Sequence, residues 1–247
     1  MTSLWTAGRR QSAHDSIPNN HHVVLVLCGG IGHSTQLMYE AVASHPRFKS
    51  LADHVSGQPE ARILLAIAEQ YYGLKLTSDA AFGSTAVSIL VEDQSTNCGA
   101  NASKTRDVLE SHGITSPQSI VVSQDPTMCR RTVASFEKVY SDQLDHCPHV
   151  YSWPTFVPAV RAIEHMAETN LADVLAYDFK QMGMSQCELW GMPRFLDLTL
   201  GEIPRLRDDA DGYGPKGKGF IVHVKIPVDV KTSWRLLDQS MTRHRIR

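Results

Sequence analysis

Three polar stretches of this chain hold the residue types from which a ligand site could be built: Gly29 to Thr35, Glu92 to Asn101, and Ser123 to Arg131. In the first, Gly29-Gly30-Ile31-Gly32-His33-Ser34-Thr35, the glycines allow backbone to approach a ligand and present amides at a helix start. The same glycines also read as a tight strand-to-helix turn. The run is not the G-x-G-x-x-G dinucleotide fingerprint, and it lacks the lysine of a P-loop. In the second, Glu92 and Asp93 are paired carboxylates just past a strand end. One of them can serve as acid or base, accept hydrogen bonds from ribose or amine groups, or hold its own loop by accepting backbone amides. Ser95, Thr96 and Asn97 can each cap the helix that follows. In the third, Arg130 and Arg131 fall in the first turns of a helix, where a cation opposes the dipole. They call for an anionic partner: Glu92, Asp93, or a ligand phosphate or carboxylate, with an internal salt bridge as the simplest case. His33, Ser34 and Asp125 offer triad chemistry by type, but no G-x-S-x-G elbow accompanies them. His146-Cys147-Pro148-His149 is too compact for a structural zinc site. Asp208-Asp209-Ala210-Asp211-Gly212 lacks the alternating ligands and closing glutamate of a calcium loop, with Phe220 at the closing position.

The elements that must carry these loops follow from periodicity. His22 to Cys28 is a continuous apolar run of the kind buried on both faces of a parallel sheet. Thr35 to Ser44 is helical, with Leu37, Met38, Ala41 and Val42 on its inner face. Pro59 starts another helix in which Ala61, Leu64, Leu65, Ala68 and Tyr72 recur until Gly73. Ala86 to Val91 is a strand, followed by a helix with Ala102, Thr105, Val108 and Leu109 on one face. Gln118 to Ser123 is the next strand, and Asp125-Pro126 opens a helix facing inward through Met128, Val133, Phe136 and Val139. Strand, loop and helix in threefold succession predict an α/β fold with a mostly parallel sheet, whose polar loops emerge at one edge. After about Ser141 prolines break the rhythm, and the chain to Leu200 reads mostly as helix. Gly201 to Gly219 reads as a long loop, Phe220 to Ile226 as an edge strand, and Pro227 to Leu237 as a last helix. Residues 1–21 are weakly patterned, with one helical stretch from Leu4 to Ser12. The expected organisation is therefore an N-terminal segment (1–21), an α/β core (22–145) and a smaller helical C-terminal part (146–240).

Composition sets the outer bounds. The chain has 247 residues, 42% of them hydrophobic, enough to bury a full core. A formal charge of −2 gives no electrostatic reason to expect nucleic acid or an acidic membrane surface. The basic end, Arg243 to Arg247, reads as a solvated terminus. Five scattered cysteines argue for a reducing compartment rather than a disulfide framework. Val23 to Cys28 is too short to cross a bilayer, and Met1 to Asn20 has no signal-peptide core. The expectation is a soluble cytoplasmic protein with a small-molecule ligand, no nucleic-acid partner and no transmembrane segment.

Four motifs taken together resemble a known family. Glu92-Asp-Gln-Ser-Thr-Asn-Cys-Gly-Ala-Asn-Ala102 and Gln124-Asp-Pro-Thr-Met-Cys-Arg-Arg-Thr132 resemble the SanA/ElyC/YdcF family. Gly29-Gly-Ile-Gly-His-Ser-Thr35 and Gly201-Glu-Ile-Pro-Arg-Leu-Arg-Asp-Asp-Ala-Asp-Gly-Tyr-Gly-Pro215 are similar to its YdcF branch. The resemblance spans about Val23 to Val230. It implies a Rossmann-like three-layer sandwich with a smaller C-terminal helical part, and S-adenosylmethionine as a ligand. On that basis the ligand-contacting residues would be Gly29, Gly30, Gly32, His33, Ser34, Glu92, Ser95, Asn97, Asn101, Asp125 and Arg130. Two departures stand out: Ala100 replaces the family's usual glutamate, and the apolar strand with which members open has no counterpart in Met1 to Asn20.

The resulting expectation is a YdcF-like protein binding S-adenosylmethionine or a similar adenine nucleotide at the C-terminal edge of the sheet. Methyl transfer there would need positioning rather than an obligatory acid or base. Two alternatives remain open. One is an enzyme acting on a phosphate-bearing envelope or glycolipid precursor, with Arg130, Arg131 and the Arg205–Arg207 stretch as the clamp. The other is a non-catalytic remnant lacking the first strand.

Overall fold

The computed structural model describes residues 22–84, 86–143, 146–163 and 171–245. The helical stretch expected from Leu4 to Ser12 lies outside them. The fold mixes helices with small sheets, two of them parallel, as an α/β chain should. The chain divides into two compact units at the Thr115–Ser116 bond, earlier than the change in sequence character near Ser141.

The first unit is organised on strand β1 (Val23–Cys28) and strand β2 (Val87–Glu92), which run parallel in register from Val23↔Val87 to Cys28↔Glu92. Between them come helix α1 (Thr35–Ser44), the single turn α2 (Ala52–Val55) and helix α3 (Glu60–Tyr72). Ile63 and Ile67 of α3 pack against Val42, Leu51 and Val55 in the main core of this unit. Each buried aliphatic side chain there contributes roughly 1.5–3 kcal/mol relative to exposure. The inner face of α3 is therefore turned from the one the helical spacing implied: Ile63 and Ile67 join Ala61, Leu65 and Ala68, while Leu64 and Tyr72 are half-buried. The helix ends at Gly73, whose φ of +66° suits glycine. Helix α4 (Cys98–Ser111) follows β2 and buries Ala102, Thr105 and Leu109 of the face its sequence foretold, with Val108 half-buried and Cys98 added.

The second unit begins with strand β3 (Ser119–Gln124) and helix α5 (Pro126–Val139). Its next elements differ from the sequence expectation. The proline-broken region contains strand β4 (His149–Pro154), parallel to β3, and the short antiparallel pair β5 (Val160–Ala162) and β6 (Leu175–Tyr177). A single turn α6 (Phe179–Met182) precedes helix α7 (Met192–Leu206), so the first part of the expected loop at Gly201 is helical. Pro204 sits inside α7 and cannot donate to Leu200 O, which instead accepts from Trp234 Nε1 at 2.9 Å. Phe220 to Ile226 forms no strand, and its apolar residues instead pack as irregular chain, Ile221 and Val224 joining Ala134 and Leu206. The last helix, α8 (Val228–Arg245), is longer than its predicted span and packs through Leu237 and Met241 onto a cluster containing Leu196 of α7.

Among the described residues the strands pair two by two, β1 with β2 and β3 with β4 in parallel and β5 with β6 antiparallel. Strand β1 also departs from expectation: none of its residues is fully buried, and Val23 and Leu25 are exposed. A six-residue apolar run specifies a strand, but burial on both faces needs neighbours that a local pattern cannot provide.

Candidate functional site

In the first unit, parallel pairing ends β1 and β2 side by side, so the glycine loop and the Glu92 loop emerge together. Backbone bonds fasten them: Gly29 N–H donates to Glu92 O (2.8 Å) and Gly30 N–H to Ser95 O (2.7 Å). The start of α3 joins through Glu60 N–H to Gly30 O (3.2 Å) and Ala61 N–H to Gly29 O (2.7 Å). These contacts explain the glycines. A Cβ at Gly30 would lie 2.4 Å from Ser95 O, and one at Gly29 would lie 2.9 Å from the Glu60 Cβ. The close approach that glycine permits here is to the protein's own chain.

Glu92 is 2% exposed, and its carboxylate faces its own loop. Oε1 accepts from Gln94 N–H and Ser95 N–H, each at 2.8 Å, and Oε2 accepts from the Ser95 hydroxyl at 2.5 Å. Of the roles open to it in sequence, the structure realises loop-holding. Asp93 is drawn outward to Arg62 (2.7 Å). Hydrogen bonding from the Gln94 amide, joined by the Arg62 guanidinium, holds its carboxyl below the ordinary range. Asn97 caps α4, its side chain accepting from Ala100 N–H at 3.0 Å. By contrast, His33 is exposed and Asn101 half-buried, and neither side chain has a hydrogen-bond partner among the described residues. Ser34 stands exposed just ahead of α1.

Glu60, which carries no motif signal, belongs to this arrangement. Its Oε1 accepts from the Thr35 hydroxyl (2.9 Å), which in turn accepts from Gly32 N–H (2.8 Å). The Pro59-Glu60 start of a helix was the available clue, since acidic residues favour a first turn. At the end of β1, Cys28 places its thiol 3.1 Å from the Thr105 hydroxyl. Burial pushes this thiol up to about 11, the Thr105 bond opposing and the Glu92 charge adding to the rise. Cys28 is therefore protonated at neutral pH and supplies no nucleophile. A shallow cleft of about 240 Å³ runs beside α4, lined by Val91, Glu92, Asp93, Lys104, Asp107 and Val108 among others. Glu92 is the one predicted contact residue that lines it.

Asp125 and Arg130 belong to the second unit. Asp125 caps α5, its Oδ1 accepting from Thr127 N–H (2.9 Å) and the Thr127 hydroxyl (2.5 Å), while Oδ2 accepts from Trp190 Nε1 (3.2 Å). Its charge also adds to the effect of burial in raising the Tyr177 hydroxyl to about 12. Arg130 is exposed and pairs with Glu137 at 3.2 Å. Arg131 makes a two-pronged pair with Glu202, at 2.6 and 3.0 Å, and Arg205 reaches the same carboxylate at 3.3 Å. Arg207 stacks on Trp234, 4.6 Å from the ring centre. The anionic partners expected for Arg130 and Arg131 are thus glutamates of their own unit, not Glu92 or Asp93. Glu202 was the unread signal, placed seventy-one positions from Arg131 in the chain.

Among the described residues, no three His, Cys, Asp or Glu side chains group to hold a metal ion, and no helix is long and apolar enough to cross a membrane. The paired loops at the ends of β1 and β2 define the class of site: a loop platform at the C-terminal edge of a parallel strand pair, where α/β proteins bind small ligands. No protein-family model matches the chain.

Proposed function

We propose that this chain binds S-adenosylmethionine, or a similar adenine nucleotide, over the loops that follow β1 and β2. We further infer a Rossmann-like arrangement for the fold around them, in keeping with the family likeness. The observation that supports the reading is the fastening of the two loops by Gly29, Gly30 and Ser95, which leaves the side chains of His33 and Asn101 unpaired beside two helix starts. Polar groups left without internal partners at such an edge are available to a ligand, and amides of a helix first turn favour negative or electron-rich groups. Glu92, Ser95 and Asn97 then act as the frame of the site, holding the loop in shape.

Methyl transfer at such a site needs positioning of donor and acceptor and no protein nucleophile, and the protonated Cys28 is compatible with that. The phosphate-clamp reading has less support, because Arg130, Arg131, Arg205 and Arg207 all have internal partners. Calorimetric titration with S-adenosylmethionine, adenosine and pyrophosphate tests the proposal. Saturable binding of the adenosine compounds, weakened about tenfold by Asn101→Ala as for loss of one good hydrogen bond, is the expected result. No heat of binding from a cooperatively folded protein overturns it, as does binding of pyrophosphate alone.

A further inference from the structure

The segment after α7 has neither helix nor strand from Arg207 to Pro227, yet it is closely built. Backbone bonds turn it back on itself: Tyr213 N–H donates to Arg205 O (2.9 Å), Gly214 N–H to Arg207 O (3.0 Å) and Phe220 N–H to Tyr213 O (2.9 Å). Three of its four glycines sit where side chains have no room. A Cβ at Gly212 would meet Arg207 O at 2.0 Å, one at Gly217 would meet Asp209 O at 2.2 Å, and one at Gly214 would lie 2.7 Å from Asp208 Oδ1. Beyond the coil, Ile221 and Val224 bury themselves against Ala134 of α5 and Leu206 of α7.

One carboxylate ties the coil to that buried stretch. Asp208 Oδ1 accepts from Lys216 N–H at 2.7 Å, and Oδ2 pairs with His223 Nδ1 at 2.7 Å. His223 lies between the buried Ile221 and Val224 in sequence, so the bond spans fifteen positions and fixes the stretch that fills the cluster. The Asp208 side chain is 11% exposed and that of His223 is 64% exposed. The charged groups facing the carboxylate are Lys216 and His223.

We propose that Asp208 and His223 form a clasp holding residues 207–226 over the Ala134–Leu206 cluster, and that protonating Asp208 opens it. Among the side chains, the Asp208 carboxylate bonds both the coil, through Lys216 N–H, and the packed stretch, through His223, so neutralising it weakens both attachments together. The Lys216 N–H bond, then the His223 imidazole, hold this carboxyl below its ordinary value of 3.8. A carboxyl lowered in the folded state stabilises that state above the unfolded-state value, and the contribution disappears as pH falls through the folded value. Opening is therefore an acid-side event, and it would expose Ile221 and Val224 by local rather than global unfolding.

The test follows the Lys216 amide by ¹H–¹⁵N NMR across pH, together with hydrogen exchange at neutral pH. In the intact protein the amide shift should titrate with a midpoint below 3.8, and His223→Gln, a change at an exposed position, should move it up towards that value. At pH 7, Asp208→Asn should speed exchange about tenfold in peptides from 208–226 and leave peptides from α3 unchanged. A Lys216 amide that does not titrate, a midpoint at or above 3.8, or equal protection of 208–226 in wild type and Asp208→Asn overturns the clasp. Faster exchange throughout the chain would make Asp208 a general stabiliser and overturn it too.

Discussion

Strands β1 and β2 pack against helices α3 and α4, whereas strands β3 and β4 pack chiefly on α5. The outcome differs accordingly. In β2, Ser88, Ile89, Leu90 and Glu92 are all buried. In the other pair, Val121 of β3 stands opposite Tyr151 of β4, with Trp153 two positions further along the same face, and the three are 59%, 55% and 57% exposed. The connection between β1 and β2 delivers three helices and α4 follows, while that between β3 and β4 delivers one. A parallel crossover is covered by what it carries. The polar residues at the strand ends divide in the same way. In the first unit Glu92 secures a loop and leaves neighbouring side chains unpaired, whereas in the second Asp125 and both arginines are taken up by internal partners.

The largest expected effect tests the claim that the second unit uses its charges structurally. Glu202→Ala should cost about 4 kcal/mol, because the Arg131 guanidinium, 13% exposed, loses its bidentate partner. Replacing both residues by apolar ones should restore most of that loss in denaturant titration. A cost near that of a surface pair would remove the contrast between the units. Next, Leu90→Ala in the buried β2 should cost about 3 kcal/mol, and Tyr151→Ser on the open face of β4 about 0.5 kcal/mol or less. Equal losses in the two strands would mean that the face bearing Tyr151 is covered after all.

Thiol labelling sharpens the same point kinetically. With its thiol raised from 9.0 to about 11, Cys28 should react about a hundredfold more slowly at neutral pH than the exposed Cys147 and Cys187, as measured by mass spectrometry. Rapid alkylation of Cys28 would show that the end of β1 is open. Glu92→Ala should then cost about 2 kcal/mol, since the Gln94 and Ser95 donors lose a buried acceptor. Asp125→Ala should cost about 1 kcal/mol as a lost helix cap. The reverse order in thermal melts would assign the stronger loop anchor to the second unit. Smallest of all, Arg62→Ala should change stability by less than about 1 kcal/mol, because the pair with Asp93 is solvent-screened.

Much of the secondary structure could be read locally. The runs at Val23 and Val87, the cap at Asn97 and the Asp125-Pro126 helix start are signals contained within a few residues, and they fall where the elements begin. The strands between His149 and Tyr177 are not legible locally, because Pro148 and Pro154 bracket β4 like loop signals, β5 and β6 have three residues each, and each depends on a partner to exist as a strand. The Gly201 stretch misled for a similar reason: glycine and proline speak for a loop locally, while packing extends α7 to Leu206.

The amino-acid sequence by itself determined the order of the early strands and helices, and the loops that end β1 and β2. Those outcomes rest on interactions between residues a few positions apart. Tertiary structure alone decided that Glu92 turns inward, that Arg131 meets Glu202, and that Asp208 meets His223. It also decided that the glycines accommodate Ser95 and Glu60. A carboxylate or a glycine states what it can do, but its partner is fixed only when distant segments pack and the cost of an unpaired buried group selects one arrangement.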